Sequence, residues 1–314
     1  LGASGRSEAH VRAVASRLTA SQVRVFITIA RTGSYSRAAQ VLATAEPSLH
    51  RVARDLEHSL GRTLYFRSPS GIGTNKAGLE LARRWALAQL EIEQGIDEIR
   101  ALEGAASGRV AIGSLPLART LILPRAINRA CEAHPNANFV IVDGPYDTLV
   151  RNLREGVTDF LVGALRLPPP FDDIVQRELL CDPYAVVARK GHPLFAKRQI
   201  SLCDLAEFKW VIPRQGTPVR KAFEALFAEG SKPSANIETS SLVATRGILL
   251  ESNRLTLLSH RQIAIEERLD LLRVLPFPLL ETSRPVGVTT RRGWLPSPVH
   301  LTFLECLEAA AGEA

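Results

Sequence analysis

LTASQVRVFITIARTGSYSRAAQVLATAEPSLHRVARDLEHSLG, residues 18–61, divides into three short helical phrases separated by turn signals. Leu18, Val23, Phe26, Ile27 and Ala30 recur at helical spacing and give the first helix an apolar face, which stops at Thr32-Gly33. Ser34 or Ser36 can cap the next helix, where Ala38, Ala39 and Leu42 are small or apolar enough for close packing. Glu46-Pro47 opens a third helix, with proline in the first turn where its missing N–H costs little. Its inward set is Leu49, Val52, Ala53, Leu56 and Leu60, and Gly61 ends it. The other face carries Ser48, His50, Arg51 and Arg54. Two short helices joined by a tight turn, the second basic on its outer face, have the shape that enters a DNA major groove. Helix geometry alone leaves a second reading of Arg51 and Arg54, as a solvated face with Asp55 and Glu57 as local partners. His58, near the helix end, reads as a partner of the helix dipole.

The charge distribution points the same way. Residues 1–78 hold eleven Lys and Arg against four acids, while the remaining 28 bases and 28 acids cancel, so the whole +7 sits in the first quarter. A basic head on a neutral body suits a polyanion partner, and charge by itself leaves nucleic acid and membrane surface both open. The chain has 314 residues, 46% hydrophobic and 23% charged, the texture of an ordinary globular protein of two or three domains. It contains no uncharged apolar run long enough to span a bilayer. Residues 1–17 are broken by Arg6, Glu8, His10, Arg12 and Arg17, unlike a secretory signal; they read as an N-terminal extension of a cytoplasmic protein. Cys131, Cys181, Cys203 and Cys306 lie far apart with no metal spacing, and the expectation is isolated buried thiols.

Taken in order, Phe26, Gly33-Ser34, Ala38-Ala39, Leu42, Pro47, Leu49, Arg51, Leu56-Glu57, Leu60-Gly61, Phe66-Arg67 and Ala77-Gly78 resemble the signature of LysR-type transcriptional regulators over about 60 residues. The resemblance implies a winged helix-turn-helix over residues 18–75, a linker and dimerisation helix over 76–104, and an α/β effector domain over 109–314 of periplasmic-binding-protein-like fold. It places Glu46, Pro47, His50 and Arg51 against bases and phosphates, and makes Ser68–Asn75 the wing, beside Arg67. With Ser34, Ser36, Ser48, Arg54, Thr74 and Asn75 these form the expected DNA-contact set. The chain departs from the family at Ala45-Glu46, where Ser-Gln is usual, at His50, where Ser is usual, and at Thr74-Asn75, where Leu-Thr is usual. Glutamate donates no hydrogen bond and is repelled by phosphate, so the operator is expected to be unusual for the family.

The run 76–103 contains no proline. Leu79, Ala82, Ala86 and Leu90, then Ile92, Ile96 and Ile99, fall at three- and four-residue steps and read as one seam for a second helix, with Trp85 adding apolar area. The alternative is a helix packed on its own domain. The family resemblance implies an antiparallel-helix homodimer and commonly a homotetramer. Gly104–Gly108 reads as a hinge.

Beyond Arg109, apolar runs alternate with helical segments, the pattern of α/β structure with largely parallel strands. Strands are expected at Arg109–Gly113, Asn138–Asp143 and Asp159–Val162, with a helix from about Leu117 to Cys131. A second α/β unit starts near Val186 and includes Trp210–Ile212 and Leu255–Ser259. The resemblance implies two subdomains, residues 109–183 with 286–314 and residues 184–285, crossed near Pro183–Val186 and Arg284–Val288, with a ligand cleft between them. Ligands in such sheets bind beyond the carboxyl ends of strands, which puts Ser114, Gly144 and Gly163 on the rim. By resemblance Ser114, Leu115, Gln215 and Thr217 face the cleft, with Tyr146, Gly163 and Ser241 as further candidates. Each has a plainer reading: Ser114 as a helix cap, Thr217 as a turn residue, Tyr146 as core. Arg214 can pair with an acidic effector or stay solvated, and His260 can be a contact or a turn residue. Stretches around Ile112, Val142, Gly163 and Thr289 resemble a branch that includes regulators of sugar-uptake genes, so the implied effector is a sugar, a sugar acid or another organic acid.

Other classes fit less well. The chain has no P-loop, no G-x-S-x-G, no H-E-x-x-H and no dinucleotide fingerprint, so neither enzyme chemistry nor a cofactor is expected. The acid pairs Asp172-Asp173 and Glu266-Glu267 are sequence neighbours that point different ways. A transport-type solute-binding protein shares the sensor fold but would not carry the basic helix-turn-helix. The expected partners are double-stranded DNA, a small-molecule effector, further copies of the chain in a homodimer or homotetramer, and RNA polymerase.

Overall fold

The computed structural model describes residues 12–69, 71–102, 108–120, 122–228, 233–279 and 283–313. Residues 1–11 of the N-terminal extension, Ser70 of the wing loop and most of the 104–108 hinge lie outside them. The chain divides into two compact units, residues 1–96 and 97–314, taken separately below.

In the first unit α1 (Ala20–Thr32), α2 (Tyr35–Val41) and α3 (Glu46–Leu60) are followed by the hairpin β1 (Tyr65–Ser68) and β2 (Gly71–Thr74), then α4 (Lys76–Leu102), which runs on past the unit's end. Thr19 and Gln22 form a capping box at the start of α1, and Gly33, at φ 64°, ends it. Ser34 caps α2 through its side chain. The core has two patches. Val25, Ile29, Ala38, Ala39, Leu49 and Ala53 pack the three helices together. Val23, Phe26, Leu56 and Leu64 form the other, covered by Leu81, Ala82 and Trp85 of α4. The hairpin is anchored by the Ile72 amide, which donates to Gly33 O at 2.9 Å. At the neighbouring Gly71, φ is +126°, and a Cβ there would stand 2.5 Å from Gly33 O, so only glycine fits.

The expected seam on α4 resolves into two faces. Leu90 and Ile92 are two residues apart, which is about 200° around a helix. Leu81 and Trp85, packed on the head, share instead the face of Ile92, Ile96 and Ile99, which are 61%, 47% and 62% exposed. Leu79, from the other set, is exposed on its own.

The second unit has two cores. Its larger sheet has the order β4-β3-β5-β12-β6, from β3 (Arg109–Ser114), β4 (Asn138–Asp143), β5 (Phe160–Ala164), β6 (Ile174–Asp182) and β12 (Arg284–Arg291). The first three are mutually parallel, whereas β12 runs antiparallel to both β5 and β6, so the sheet is mixed. Val110, Ile112, Phe160 and Val162 meet α5 (Ile122–Ala133) and α11 (Pro298–Gly312) on one face. Leu161 and Ile174 meet α6 (Tyr146–Arg154) on the other. Helix α5 starts later than the expected Leu117 because Pro124 is tolerated only in a first turn; residues 116–120 form turns instead. The third strand begins at Phe160, since the Asp159 side chain accepts from the Ala111 amide at 2.7 Å.

The other core is built on β7 (Ala185–Arg189), flanked by β10 (Thr256–Leu258) and β11 (Leu272–Val274), both antiparallel to it. A parallel pair, β8 (Val211–Ile212) with β9 (Ile237–Glu238), joins it through a bridge between Trp210 and Leu255. Trp210, Phe223 and Phe227 pack in its centre through tilted and edge-on ring contacts. Helices α7 (Leu202–Ala206), α8 (Pro218–Leu226), α9 (Leu242–Leu250) and α10 (His260–Arg268) surround it. The return crossing ends earlier than Val288: Arg284 already pairs with Asp182 in the larger sheet.

The buried-thiol expectation fails. Cys131, Cys181 and Cys203 are exposed and Cys306 is partly exposed. Cys306 packs at the edge of the larger core, and the Cys181 thiol donates to Glu178 at 3.0 Å. Among the described residues no helix is long and apolar enough to cross a membrane, and no group of three or more His, Cys, Asp or Glu is placed to hold a metal ion.

Candidate nucleic-acid interface and effector site

Helix α3 keeps its leucines inside and its cations outside. Leu49, Ala53 and Leu56 are buried, whereas Arg51 and Arg54 are exposed. Among the described residues neither Asp55 nor Glu57 forms an ion pair with those arginines. The Glu57 carboxylate reaches forward to accept from the Leu64 amide at 2.6 Å and the Tyr65 amide at 3.4 Å, pinning the hairpin to the helix.

A groove of about 530 Å³ opens between the start of α2, the first turns of α3 and the wing; Ser34, Ser36, Arg37, Glu46, His50 and Arg67 contribute to its walls. A recess of about 200 Å³ continues toward Tyr65, Glu57 and Thr63. His50 stacks on Tyr35, with ring centroids 3.7 Å apart, and its Nε2 stands 3.6 Å from the Glu46 carboxylate. Burial pushes the Tyr35 phenol up and Glu57 adds to this, while Arg67 and Arg54 oppose it, so both cations act on the same groove. Tyr65, deeper in, is raised by burial first, then by Tyr35 and Glu57.

The remaining expected DNA contacts have structural duties too. Pro47 sits in the first turn of α3, exposed, with Ser48 beside it. Thr74 ends β2, where its methyl lies under Gly78. Asn75 donates to Thr63 O at 2.7 Å and accepts from the Gly78 amide at 3.0 Å, tying the wing base to the start of α4.

In the second unit the expected effector residues fall on two subdomains. Ser114 is fully buried at the end of β3, and the Leu115 amide donates to Val162 O at 3.0 Å. Gly163, at φ +149°, would place a Cβ 2.5 Å from that of Leu115, so it lets the loop close over β5. Tyr146 opens α6 and packs in the core with Leu115 and Val142, its plainer reading. Thr217 caps α8 and Ser241 caps α9, each accepting from a backbone amide three residues on. Gln215 donates to Glu224 at 3.1 Å. His260 lies 3.2 Å from Glu267 and is exposed. These residues occupy strand ends and helix starts, where free amides and helix dipoles favour polar or anionic groups.

Sequence reasoning passed over the cluster at the crossing strands. Asp182, 1% exposed, ends β6; its two carboxylate oxygens accept from Arg261 of α10 and Arg284 of β12, each at 3.1 Å. Arg284 also donates to Gln262 at 3.0 Å and lies 4.1 Å over the Tyr184 ring. The one sequence signal was a lone acid and a lone arginine at the expected subdomain borders.

Comparison with known proteins agrees with this architecture. Residues 20–79 match the family described as "Bacterial regulatory helix-turn-helix protein, lysR family", and residues 103–312 match "LysR substrate binding domain". The chain is 31% identical over 296 residues to the HTH-type transcriptional regulator GalR of Pseudomonas putida, covering 94% of this chain and 74% of that one. It is 27% identical over 299 residues to PcaQ of Agrobacterium fabrum, covering 95% and 96%. In fold it is similar to ArgP of Mycobacterium tuberculosis, with a TM-score of 0.69 at 18% identity over 94% of this chain and 98% of that one. The relatives are regulators and not enzymes, and regulators of this kind bind DNA and small effectors and form oligomers. The chain belongs to the LysR family of transcriptional regulators, a DNA-binding helix-turn-helix head followed by an effector-binding domain.

Proposed function

We propose that the head reads its operator through the exposed face of α3, with Glu46, Pro47, Ser48, His50, Arg51 and Arg54 toward the major groove. Ser34 and Ser36 meet phosphates at the start of α2, and Arg67, Thr74 and Asn75 serve the wing. The observation that carries this reading is the outward placement of Arg51 and Arg54 on the helix whose Glu46 and His50 line the groove with Arg67. The effector, a sugar, sugar acid or other organic acid, binds in the second unit near Ser114, Leu115, Tyr146, Gly163, Gln215, Thr217 and Ser241. The exposed Ile92, Ile96 and Ile99 face of α4 supports a homodimer, and pairing of dimers gives the tetramer. Such an assembly sets recognition helices on separate half-sites, acts beside RNA polymerase and works in the cytoplasm, where operator DNA is.

The test is a gel-shift titration of Arg51→Ala at several salt concentrations. Loss of one phosphate or base contact should weaken operator binding by about 1–3 kcal/mol, and the salt slope should fall by about 1 per subunit if the contact is to phosphate. Unchanged affinity with an intact fold rejects this recognition face.

A further inference from the structure

We infer that the effector carries a carboxylate and that Arg166 is its charge anchor; this deepens the effector-sensing reading above and rests on it. Arg166 follows β5, one residue beyond Leu165, whose amide donates to Pro285 O at 2.9 Å. It therefore lies at the carboxyl end of the parallel strands, next to the crossing into the second subdomain. Its guanidinium carbon stands 4.4 Å over the Tyr146 ring. One guanidinium nitrogen, Nη1, is buried and has no hydrogen-bond partner among the described residues.

The neighbouring charges do not balance it. Asp182 is the buried carboxylate of this region, and both its oxygens are already engaged by Arg261 and Arg284. Asp147, in the first turn of α6, is exposed and forms no ion pair with Arg166 among the described residues. Two guanidiniums thus take up the Asp182 carboxylate, and Arg166 has no ion pair among the described residues. The fields of Arg284 and Arg166 both reach Tyr184, where they oppose the rise that burial imposes on its phenol. A part-buried cation with an unused N–H is costly until something accepts from it. A planar carboxylate matches the guanidinium fork in shape and charge, which a neutral hydroxyl does not.

The experiment uses the full-length chain and matched probe pairs, namely acetate with acetamide, benzoate with benzamide, and galactonate with galactose. Within a pair the carboxylate should raise the melting temperature and the neutral partner should not. Arg166→Gln should weaken the carboxylate by at least about tenfold, as expected for a lost charge-assisted hydrogen bond, and Arg166→Lys should keep part of the effect. Without ligand, Arg166→Gln should be at least as stable as the parent, because it removes an unpaired charge. The anchor is overturned if no carboxylate stabilises the parent chain, if neutral partners stabilise parent and Arg166→Gln alike, or if Arg166→Gln alone lowers the melting temperature by several degrees. If carboxylates act through Arg166 and the operator footprint never changes, the anchor stands and effector control of DNA binding falls. If a neutral ligand alters the footprint equally in parent and Arg166→Gln, effector control stands and the anchor falls.

Discussion

Replacing Glu57 by alanine tests the link between recognition helix and wing. Its carboxylate accepts from the Leu64 amide at 2.6 Å and, more weakly, from the Tyr65 amide at 3.4 Å. Leu64 is 2% exposed, so water cannot easily replace the lost acceptor. A hydrogen bond to a charged group contributes about 1.5–3 kcal/mol, and the longer second bond adds a fraction of that. The expected loss is therefore about 2–3 kcal/mol for Glu57→Ala. Glu57→Gln keeps an acceptor without the charge and should lose about 1 kcal/mol. For a head of this size each kcal/mol moves the midpoint by about 4–8 °C, which puts the Glu57→Ala transition roughly 8–24 °C lower. Differential scanning calorimetry of the full chain should show the head's transition shifting while that of the effector domain stays put. Operator affinity at low temperature should fall as well, because β1 starts at Tyr65 and carries Arg67. An alanine variant within about 0.5 kcal/mol of the parent, with the hairpin unchanged, would show that the carboxylate does not hold the wing.

Asp182→Asn leaves Arg261 and Arg284 facing a neutral group at a nearly closed site, and unfolding of the effector domain should become easier by about 3 kcal/mol in urea titration. Unchanged stability would mean that solvent replaces the ion pairs. Ile96→Asp, on the exposed face of α4, should shift the chain toward monomer in sedimentation velocity without lowering the head's melting temperature; a parent-like oligomer would place the interface elsewhere. Asp204 is held at about 2, first by the Lys197 ammonium and then by the Ser201 backbone and hydroxyl. Because this folded-state value lies below the ordinary carboxylate range, its contribution is present above that range and is lost as pH falls toward 2. NMR of the Asp204 carboxyl should show a midpoint near 2, moving up in Lys197→Gln; a midpoint near 4 in the parent would contradict the pairing.

The three-helix head was legible because each boundary carries its own chemical mark: Gly33 and Gly61 stop helices at positive φ, Ser34 caps, and Pro47 occupies a first turn. Arg51 and Arg54 could be placed on the outer face because Leu49, Ala53 and Leu56 fix the inner one. The role of Glu57 as acceptor for the hairpin was not legible in the sequence, which offered it only as an alternative partner of Arg51 and Arg54, because its amide donors lie seven and eight residues on, past the end of α3. The α4 seam was over-read because counting steps of three and four hides the two-residue jump at Leu90–Ile92, which changes face. Mixed strand direction was missed because β12 reaches the larger sheet from more than a hundred residues beyond β6, and local pattern says nothing of such pairings. Arg166, Asp182 and Arg284 escaped notice for the same reason: a lone charge in sequence gains meaning only when a distant partner is, or is not, beside it.

The crossing between subdomains is held differently from the bodies it joins. Each subdomain has its own apolar core, one around Ile112, Phe160 and Phe303 and the other around Trp210, Phe223 and Leu257. The contacts described between the halves at the crossing are polar: Asp182 with Arg261, Arg284 with Gln262, and Arg284 over the Tyr184 ring. Apolar cores resist shear because any displacement opens voids, whereas a few ion pairs near 3 Å can re-form at a new angle for a few kcal/mol. A bound ligand shifts an equilibrium only by its difference in affinity between two states. On the proposal that an anion engages Arg166, its charge would be added beside the ion pairs of Asp182 with Arg261 and Arg284. Binding and hinge would then both act through charge pairing, so a ligand with different affinity for two arrangements of these ion pairs could shift the balance between them.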